Sequence, residues 1–436
     1  MDDTIFALSS GAPPVGVAVI RLSGPRVRFG LEMILGAVPE PRIATLRVLR
    51  DPASGEALDR GLVLFFAGPS SFTGEDVAEF QVHGGRAVVA SILAMLAALP
   101  GYRPAEAGEF TRRAFANGRA DLTEIEGLAD LVAAETEMQR RLALRQAEGG
   151  LRRLYDDWRT RLIRARALIE ADLDFSDEED VPDDVAAPAW ASAAEVAAEI
   201  GRHLDDSHFG ERVRSGFEVV LLGAPNVGKS SLLNALIRRE AAIVTAEPGT
   251  TRDLIEVALD LRGHAVTLID TAGLREADNL VEREGIRRAR KRADAADLIL
   301  VLTDGGSVPD DLPADVPRLL VRTKADLLDS DSKRIDPEAG LLVSSQTGAG
   351  LDRLETAIAA ALKLDRPMPS AMVTRARQRH GLEEARQALA DIEQAHGIEV
   401  KAEMLRRAAD AIGRITGRID VEDLLDVIFS EFCIGK

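Results

Sequence analysis

The chain has 436 residues, 46% hydrophobic and 29% charged, a balance that excludes disordered, fibrous and coiled-coil classes and predicts a globular protein of two or three domains. With 54 basic against 72 acidic residues the net charge is -18, which argues against a protein whose main work is wrapping nucleic acid, although it allows a local basic patch. A single cysteine, Cys433, permits no intrachain disulfide, the acidic start "MDDTIF" is unlike a secretory signal, and the longest apolar run, Ala87 to Leu99, falls short of the roughly 20 residues a membrane span needs. A cytoplasmic protein without a membrane partner is expected.

Residues 1 to about 115 mix short β-rich runs, "VGVAVIRLSG" and "GLVLFFAG", with turns and apolar helical stretches, which predicts a compact α+β domain. Between Leu122 and Ala171 proline is absent, alanine and leucine recur at helical spacing, and arginines fill the intervening positions, predicting one or two long helices. The acidic "DFSDEEDVPDD" reads as a solvated loop, and "ASAAEVAAEIGRHL" resumes helix. From Phe217 strands alternate with helices ("FEVVLLG", "HAVTLIDTAG", "DLILVLTD", "RLLVRTKAD", "GLLVSS"), which predicts a mainly parallel sheet covered by helices. After about Leu364 helical texture returns, so this α/β domain is read as inserted into a helical one. The expected division is 1–117, 118–214, 215–365 and 366–436.

"GAPNVGKS", Gly223 to Ser230, follows a strand and opens a helix, the context a phosphate-binding loop requires. Its backbone N–H groups face phosphate oxygens, Lys229 reaches the β- and γ-phosphates and Ser230 ligates Mg2+; a glycine-rich turn is the plain alternative. "LIDTAG" ends a strand in Asp270, suited to a Mg2+-bound water, with Gly273 beside the γ-phosphate. "GTTRD" lies between, where a threonine hydroxyl, best Thr251, reaches the metal. "TKAD" gives Asp326 to accept from the donor edge of guanine and Lys324 to pack over the base, while Ser345 and its neighbours finish the pocket. That selects GTP. Thr323 stands where such domains usually carry Asn, which weakens one pocket contact without changing base choice. The order of these elements predicts a Ras-like P-loop GTPase domain. The full candidate set for GTP is Asn226, Val227, Gly228, Lys229, Ser230, Ser231, Thr245, Thr250, Thr251, Asp270, Thr271, Ala272, Gly273, Thr323, Lys324, Asp326, Ser344 and Ser345.

Ras-type enzymes position the attacking water with Gln after the last glycine of this second motif, where this chain has Leu274. Arg275 and Glu282 are the nearby candidates, although the residues alone favour Glu282 as a solvated helix residue. Asn226 offers an extra oxygen, and a monovalent cation there would neutralise charge as an arginine finger does.

The phosphate loop with Asn226, "GTTRD", "DTAGLRE", "SFTGED", "EFTRRAFANGRADL" and the closing "CIGK", taken in order, resemble the MnmE (TrmE) family of bacterial tRNA-modification GTPases nearly end to end. The resemblance implies an N-terminal folate-binding domain that forms a homodimer, a helical domain split by the G domain, and G domains that pair in a K+-dependent way. It implies K+ ligands among Asn226, Thr245, Glu247 and Thr250, Mg2+ ligands at Ser230 and Thr251, and Glu282 as the residue orienting water. For a tetrahydrofolate derivative it points to Arg21, Glu79, Arg119 and Lys436, with Arg119 standing where lysine is familiar. It further implies the flavoprotein MnmG as partner in a heterotetrameric complex, tRNA as substrate, and an aminomethyl or carboxymethylaminomethyl group attached to carbon 5 of the wobble uridine. Cys433 lies at the margin of an apolar helical face formed by Leu425, Ile428, Phe429 and Phe432; a small half-buried thiol is its plain reading, and the resemblance gives it a part in the modification chemistry. Arg140, Arg141, Arg145, Arg152, Arg153 and Arg159 read either as a tRNA-contacting face or as a solvated helix face. A regulatory or ribosome-assembly GTPase, acting as a binding module without folate or thiol, is the alternative.

Overall fold

The computed structural model describes residues 3–174, 187–239, 255–270, 291–305, 312–328, 340–369, 371–419, 425, 428–429 and 435. Two compact units are present: Met1–Ala129, Gln146–Ala197 and Gly381–Lys436 form the first, and Asp130–Arg145 with Ala198–His380 the second.

The first unit opens with β1 (Thr4–Leu8), β2 (Val15–Ser23), α1 (Val27–Leu35), β3 (Thr45–Arg50), β4 (Ala57–Phe66), β5 (Val77–Gly84), α2 (Arg86–Ala98), β6 (Tyr102–Pro104) and α3 (Glu109–Ala116). The six strands form one sheet in the order β3-β4-β5-β2-β1-β6, antiparallel except for the parallel β1–β6 pair. Alternation sorts the residues: Ala18, Ile20, Leu22, Val63, Phe65 and Phe80 point into a core closed by α1 and α2. On the other face Leu46, its cross-strand partner Leu62, and Val17 remain 48%, 40% and 58% exposed.

The proline-free stretch is three helices, α4 (Leu122–Ala133), α5 (Glu137–Ala147) and α6 (Gly150–Asp174), where hydrophobic spacing alone predicts one or two. The reason is local. Thr136 and Gln139 form a capping box: the Gln139 side-chain oxygen accepts from the Thr136 N–H at 3.1 Å, and the Gln139 N–H points back at the Thr136 hydroxyl at 3.5 Å. The second break falls at Gly149, which turns left-handed with φ 79°. After α7 (Ala187–Asp205) and α8 (Ser207–Ser215) come β7 (Phe217–Gly223), α9 (Lys229–Arg239), β8 (Ile255–Leu261), β9 (His264–Asp270), β10 (Leu298–Thr303), β11 (Arg318–Arg322), β12 (Leu341–Leu342), α10 (Leu351–Ala361), α11 (Ala376–Asp391) and α12 (Ile398–Thr416). Within the first unit α12 lies along α6, whose buried Tyr155 and Trp158 rings sit 5.6 Å apart. Leu425, Ile428 and Phe429 pack on Leu122 and Ile125, as their helical spacing predicts; Phe432 and Cys433 lie outside the described residues.

The sheet of the second unit runs β12-β11-β10-β7-β9-β8, parallel throughout except for β8, which pairs antiparallel with β9. Both faces are covered, which explains the near-continuous apolar strands. Val219 and Leu221 of β7 meet α9 and α10, while Val220, with Ile299 and Val301, meets Ala293 and Ala296 on the opposite side.

His264 opens β9 inside this unit. Its Nε2 donates to the Leu364 carbonyl at 3.1 Å, and Phe217 and Phe209 meet its ring edge-on, leaving buried Nδ1 without a donor. Burial pushes the imidazole below its ordinary value, opposed by the Leu364 carbonyl and by Asp260 and Asp365. The neutral ring therefore stabilises the unit fully above about pH 6.5, the value for an unfolded histidine, and that stabilisation is lost as pH falls from there through the lowered folded-state value. Melting temperature is expected to decline with acidification over this window, and His264→Asn to flatten the decline; an unchanged slope in the variant would count against the assignment.

Candidate functional site

In a parallel sheet covered on both faces, ligands bind outside the carboxyl ends of the strands. The nucleotide candidates that lie in described segments all follow such ends: the loop after β7, Asp270 at the end of β9, Thr323 to Asp326 after β11, and Ser344 and Ser345 after β12.

The chain leaves β7 at Gly223, where a side chain is impossible: a Cβ there would stand 2.5 Å from the Leu302 carbonyl oxygen of β10. Asn226 and Gly228 then take positive φ of 60° and 103°, curling the backbone around a concavity before α9 begins at Lys229. Lys229 is 6% exposed, and its Nζ donates to the carbonyls of Gly223 at 2.7 Å and Ala224 at 3.0 Å. Burial draws its pKa down, and Asp270 works against that fall. The Ser230 hydroxyl donates to Asp270 Oδ2 at 2.6 Å, and Asp270 is wholly buried. Ser231 follows on α9.

A hydroxyl and a carboxylate are hard oxygen donors that fit Mg2+, which completes its shell from phosphate oxygens and water. Among the described residues no group of three or more His, Cys, Asp or Glu gathers to hold a metal.

On the base side, the Ser344 hydroxyl donates to Asp326 Oδ1 at 2.5 Å and accepts from the Thr347 N–H at 3.1 Å, which fixes the carboxylate plane. Lys324 adopts a left-handed φ of 57° and pairs with Asp304 at 2.8 Å. Thr323 has a duty that the sequence reading missed. Its hydroxyl donates to the Val227 carbonyl at 2.5 Å while its N–H bonds the Thr303 carbonyl at 2.8 Å, so it ties the base-side loop to the phosphate loop. A threonine directly after a strand was the available signal. Thr323→Val keeps the shape and leaves a buried carbonyl unmet; about tenfold weaker GTP binding is expected by fluorescent-nucleotide titration, and unchanged affinity would remove the tie from the site. Thr245, Glu247, Thr250, Thr251, Thr271, Ala272, Gly273, Leu274, Arg275 and Glu282 lie outside the described residues.

A second cluster lies in the first unit. Arg21 on β2 donates through Nε to Glu79 on the adjacent strand β5 at 3.0 Å, the two facing each other in register. The Arg21 guanidinium carbon stands 5.9 Å from the centre of the Phe72 ring and 5.8 Å from that of Phe110. Arg119 is exposed, its stem against Gly74; Lys436 lies outside the described residues.

Glu75 of "SFTGED" meets Arg113 of "EFTRRAF" at 3.1 Å, and Asn117 donates to the Thr73 carbonyl at 2.7 Å, so these two motifs clasp one another. Of the six arginines, Arg140 and Arg141 pair with Glu137, Arg152 pairs with Glu124, Arg145 bonds the Met368 and Pro369 carbonyls, and Arg153 bonds the Glu148 carbonyl. Arg159 Nε is buried without a hydrogen-bond acceptor. Neighbouring groups therefore hold most of them; Arg152, Arg153 and Arg159 belong to the first unit and Arg140, Arg141 and Arg145 to the second. No helix among the described residues is long and apolar enough to cross a membrane.

Comparison with known proteins gives two matching family models, one described as the GTP-binding protein TrmE N-terminus over residues 4–119 and the other as the MnmE helical domain over residues 122–433. Relatives named tRNA modification GTPase MnmE are 54% identical in Azorhizobium caulinodans and 55% identical in Mesorhizobium japonicum, each alignment spanning 100% of this chain and 99% of the relative. Among solved structures, the G domain of the T. maritima FeoB iron transporter is 27% identical, covers 33% of this chain and 98% of its own, and has a TM-score of 0.25.

Proposed function

The chain belongs to the MnmE (TrmE) family and is a GTPase of tRNA modification, and from that premise we propose that its GTP hydrolysis drives a conformational cycle by which the wobble uridine of certain tRNAs gains an aminomethyl or carboxymethylaminomethyl group at carbon 5. The identity of 54% over the whole length is the observation that carries this reading, because it takes in the flanking domains as well as the G domain.

In this reading Lys229 neutralises the β- and γ-phosphates, Ser230 and Thr251 ligate Mg2+, Asp270 holds a metal-bound water, and Asp326 accepts from guanine. Asn226, Thr245, Glu247 and Thr250 hold K+, Arg275 and Glu282 act on the γ-phosphate side, and Glu282 orients the attacking water. Mg2+ and K+ supply charge neutralisation at the phosphates when bound. Arg21, Glu79, Arg119 and Lys436 bind a tetrahydrofolate derivative. The Arg21–Glu79 pair supports that assignment, since an arginine suits a glutamate tail and a carboxylate accepts from a pterin ring. Cys433 serves the modification chemistry, with MnmG supplying electron transfer.

The exposed Leu46, Leu62 and Val17 on one sheet face support a homodimer through the N-terminal domain. The division at 1–117, 118–214, 215–365 and 366–436 and a cytoplasmic location belong to the same proposal. The test is mass spectrometry of wobble uridines in tRNA from a strain lacking the protein, rescued by wild type or by Cys433→Ser. Loss on deletion and restoration only by wild type is the expected pattern; unchanged tRNA on deletion would overturn the reading.

A further inference from the structure

Ser9, just beyond β1, makes a bond that spans nearly the whole chain: its hydroxyl donates to the Gly435 carbonyl at 2.9 Å, and Arg21 Nη1 approaches the same oxygen at 3.4 Å. Gly435 fits there because it is glycine. Its φ is 104°, and a Cβ would stand 2.6 Å from the Leu8 carbonyl oxygen and 3.0 Å from the Ser9 Cα. Glu79, Phe72 and Phe110 hold the guanidinium at this point, and the Ser9 backbone is itself fixed by its N–H to the Val19 carbonyl at 2.7 Å.

We infer that Ser9 is a positioning residue: it seats the Gly435 carbonyl beside Arg21, so that seating of this glycine and binding of a carboxylate-bearing ligand at Arg21 are linked. The ligand half of this inference rests on the folate reading above; the latch does not. Arg21 spends two of its five N–H donors on Glu79 and Gly435, leaving an edge for a ligand carboxylate. A ligand that immobilises the guanidinium tightens the seat, and by reciprocity a seated Gly435 favours the ligand.

Amide hydrogen exchange of the peptide containing Gly435, read by mass spectrometry on the full chain, tests the latch. Ser9→Ala is expected to speed exchange of that peptide by roughly two- to tenfold, the range that loss of one hydrogen bond gives, while Ser9→Thr, which keeps the hydroxyl, restores it. Gly435→Ala, strained and clashing, is expected to speed it at least as much. Equal exchange in wild type and Ser9→Ala overturns the latch, as does an equal rise in peptides from β4 and α2, which would mark general loosening. With 5-formyltetrahydrofolate as the probe, exchange of the Gly435 peptide in wild type is expected to slow, and to slow less in Ser9→Ala. If the wild type ignores the probe while Ser9→Ala still loosens the peptide, the folate reading fails and the latch stands.

Discussion

Lys229→Ala is expected to lower GTP hydrolysis by about 100- to 1000-fold, the scale set by removing a group aimed at developing charge in a preorganised site. The ammonium lies inside the loop: it is almost fully buried, bonded to the carbonyls of Gly223 and Ala224, and its charge is supported by Asp270. Alanine removes that cation and its two bonds to the Gly223 and Ala224 carbonyls, so the loop loses both the charge and bonds that help shape it. Lys229→Arg is expected to fail as well, because a planar fork does not fit a pocket built for a compact ammonium. Steady-state hydrolysis and fluorescent-nucleotide binding measure the effect, and an alanine variant within fivefold of wild type would remove Lys229 from the proposed role.

Arg113→Met is expected to destabilise the first unit by about 3–5 kcal/mol, the scale for breaking a buried ion pair from one side. The Arg113 side chain is 0% exposed. It donates to the Asp3 carbonyl at 2.9 Å, to the Asp3 carboxylate at 2.7 Å, to Glu75 at 3.1 Å and to Glu109 at 3.1 Å. Burial disfavours its charge, yet Glu75, Glu109 and Asp3 hold its pKa above the ordinary arginine value. Methionine of similar length leaves those carboxylates facing one another, with Arg103 reaching only Asp3 and Glu109. Arg113→Lys is expected to recover part of the loss, since one ammonium cannot serve all three carboxylates with the geometry of a guanidinium fork. Chemical denaturation followed by a signal from the first unit checks this, and a loss below about 1 kcal/mol would show that the network contributes little.

What was legible in the sequence follows the range of the interactions. The placement of Gly223–Ser230, Asp270 and Asp326 at strand ends was readable because each is a short string there, and the sheet strands because burial on both faces makes them near-continuous apolar runs. The break before α5 was also present, as Thr136 and Gln139 at capping-box spacing, but the stronger apolar periodicity masked it. Arg113 was not legible as a clasp: its partners Asp3 and Glu75 stand 110 and 38 residues away, and in sequence it is one arginine of a pair in "TRR". In sequence Thr323 reads as a weakened contact to the base, whereas its hydroxyl is aimed at the Val227 carbonyl, a direction only the fold reveals. Ser9 gave no signal at all, since its partner is 426 residues on.

That last separation has a consequence for biosynthesis. The second unit is complete once Ala198–His380 has been made, whereas the first unit also draws on Gly381–Lys436, which is made later. The N-terminal strands therefore emerge long before Gly435 and α12 exist. The Ser9–Gly435 bond, joining positions 426 residues apart, thus forms only after the whole intervening unit has been made.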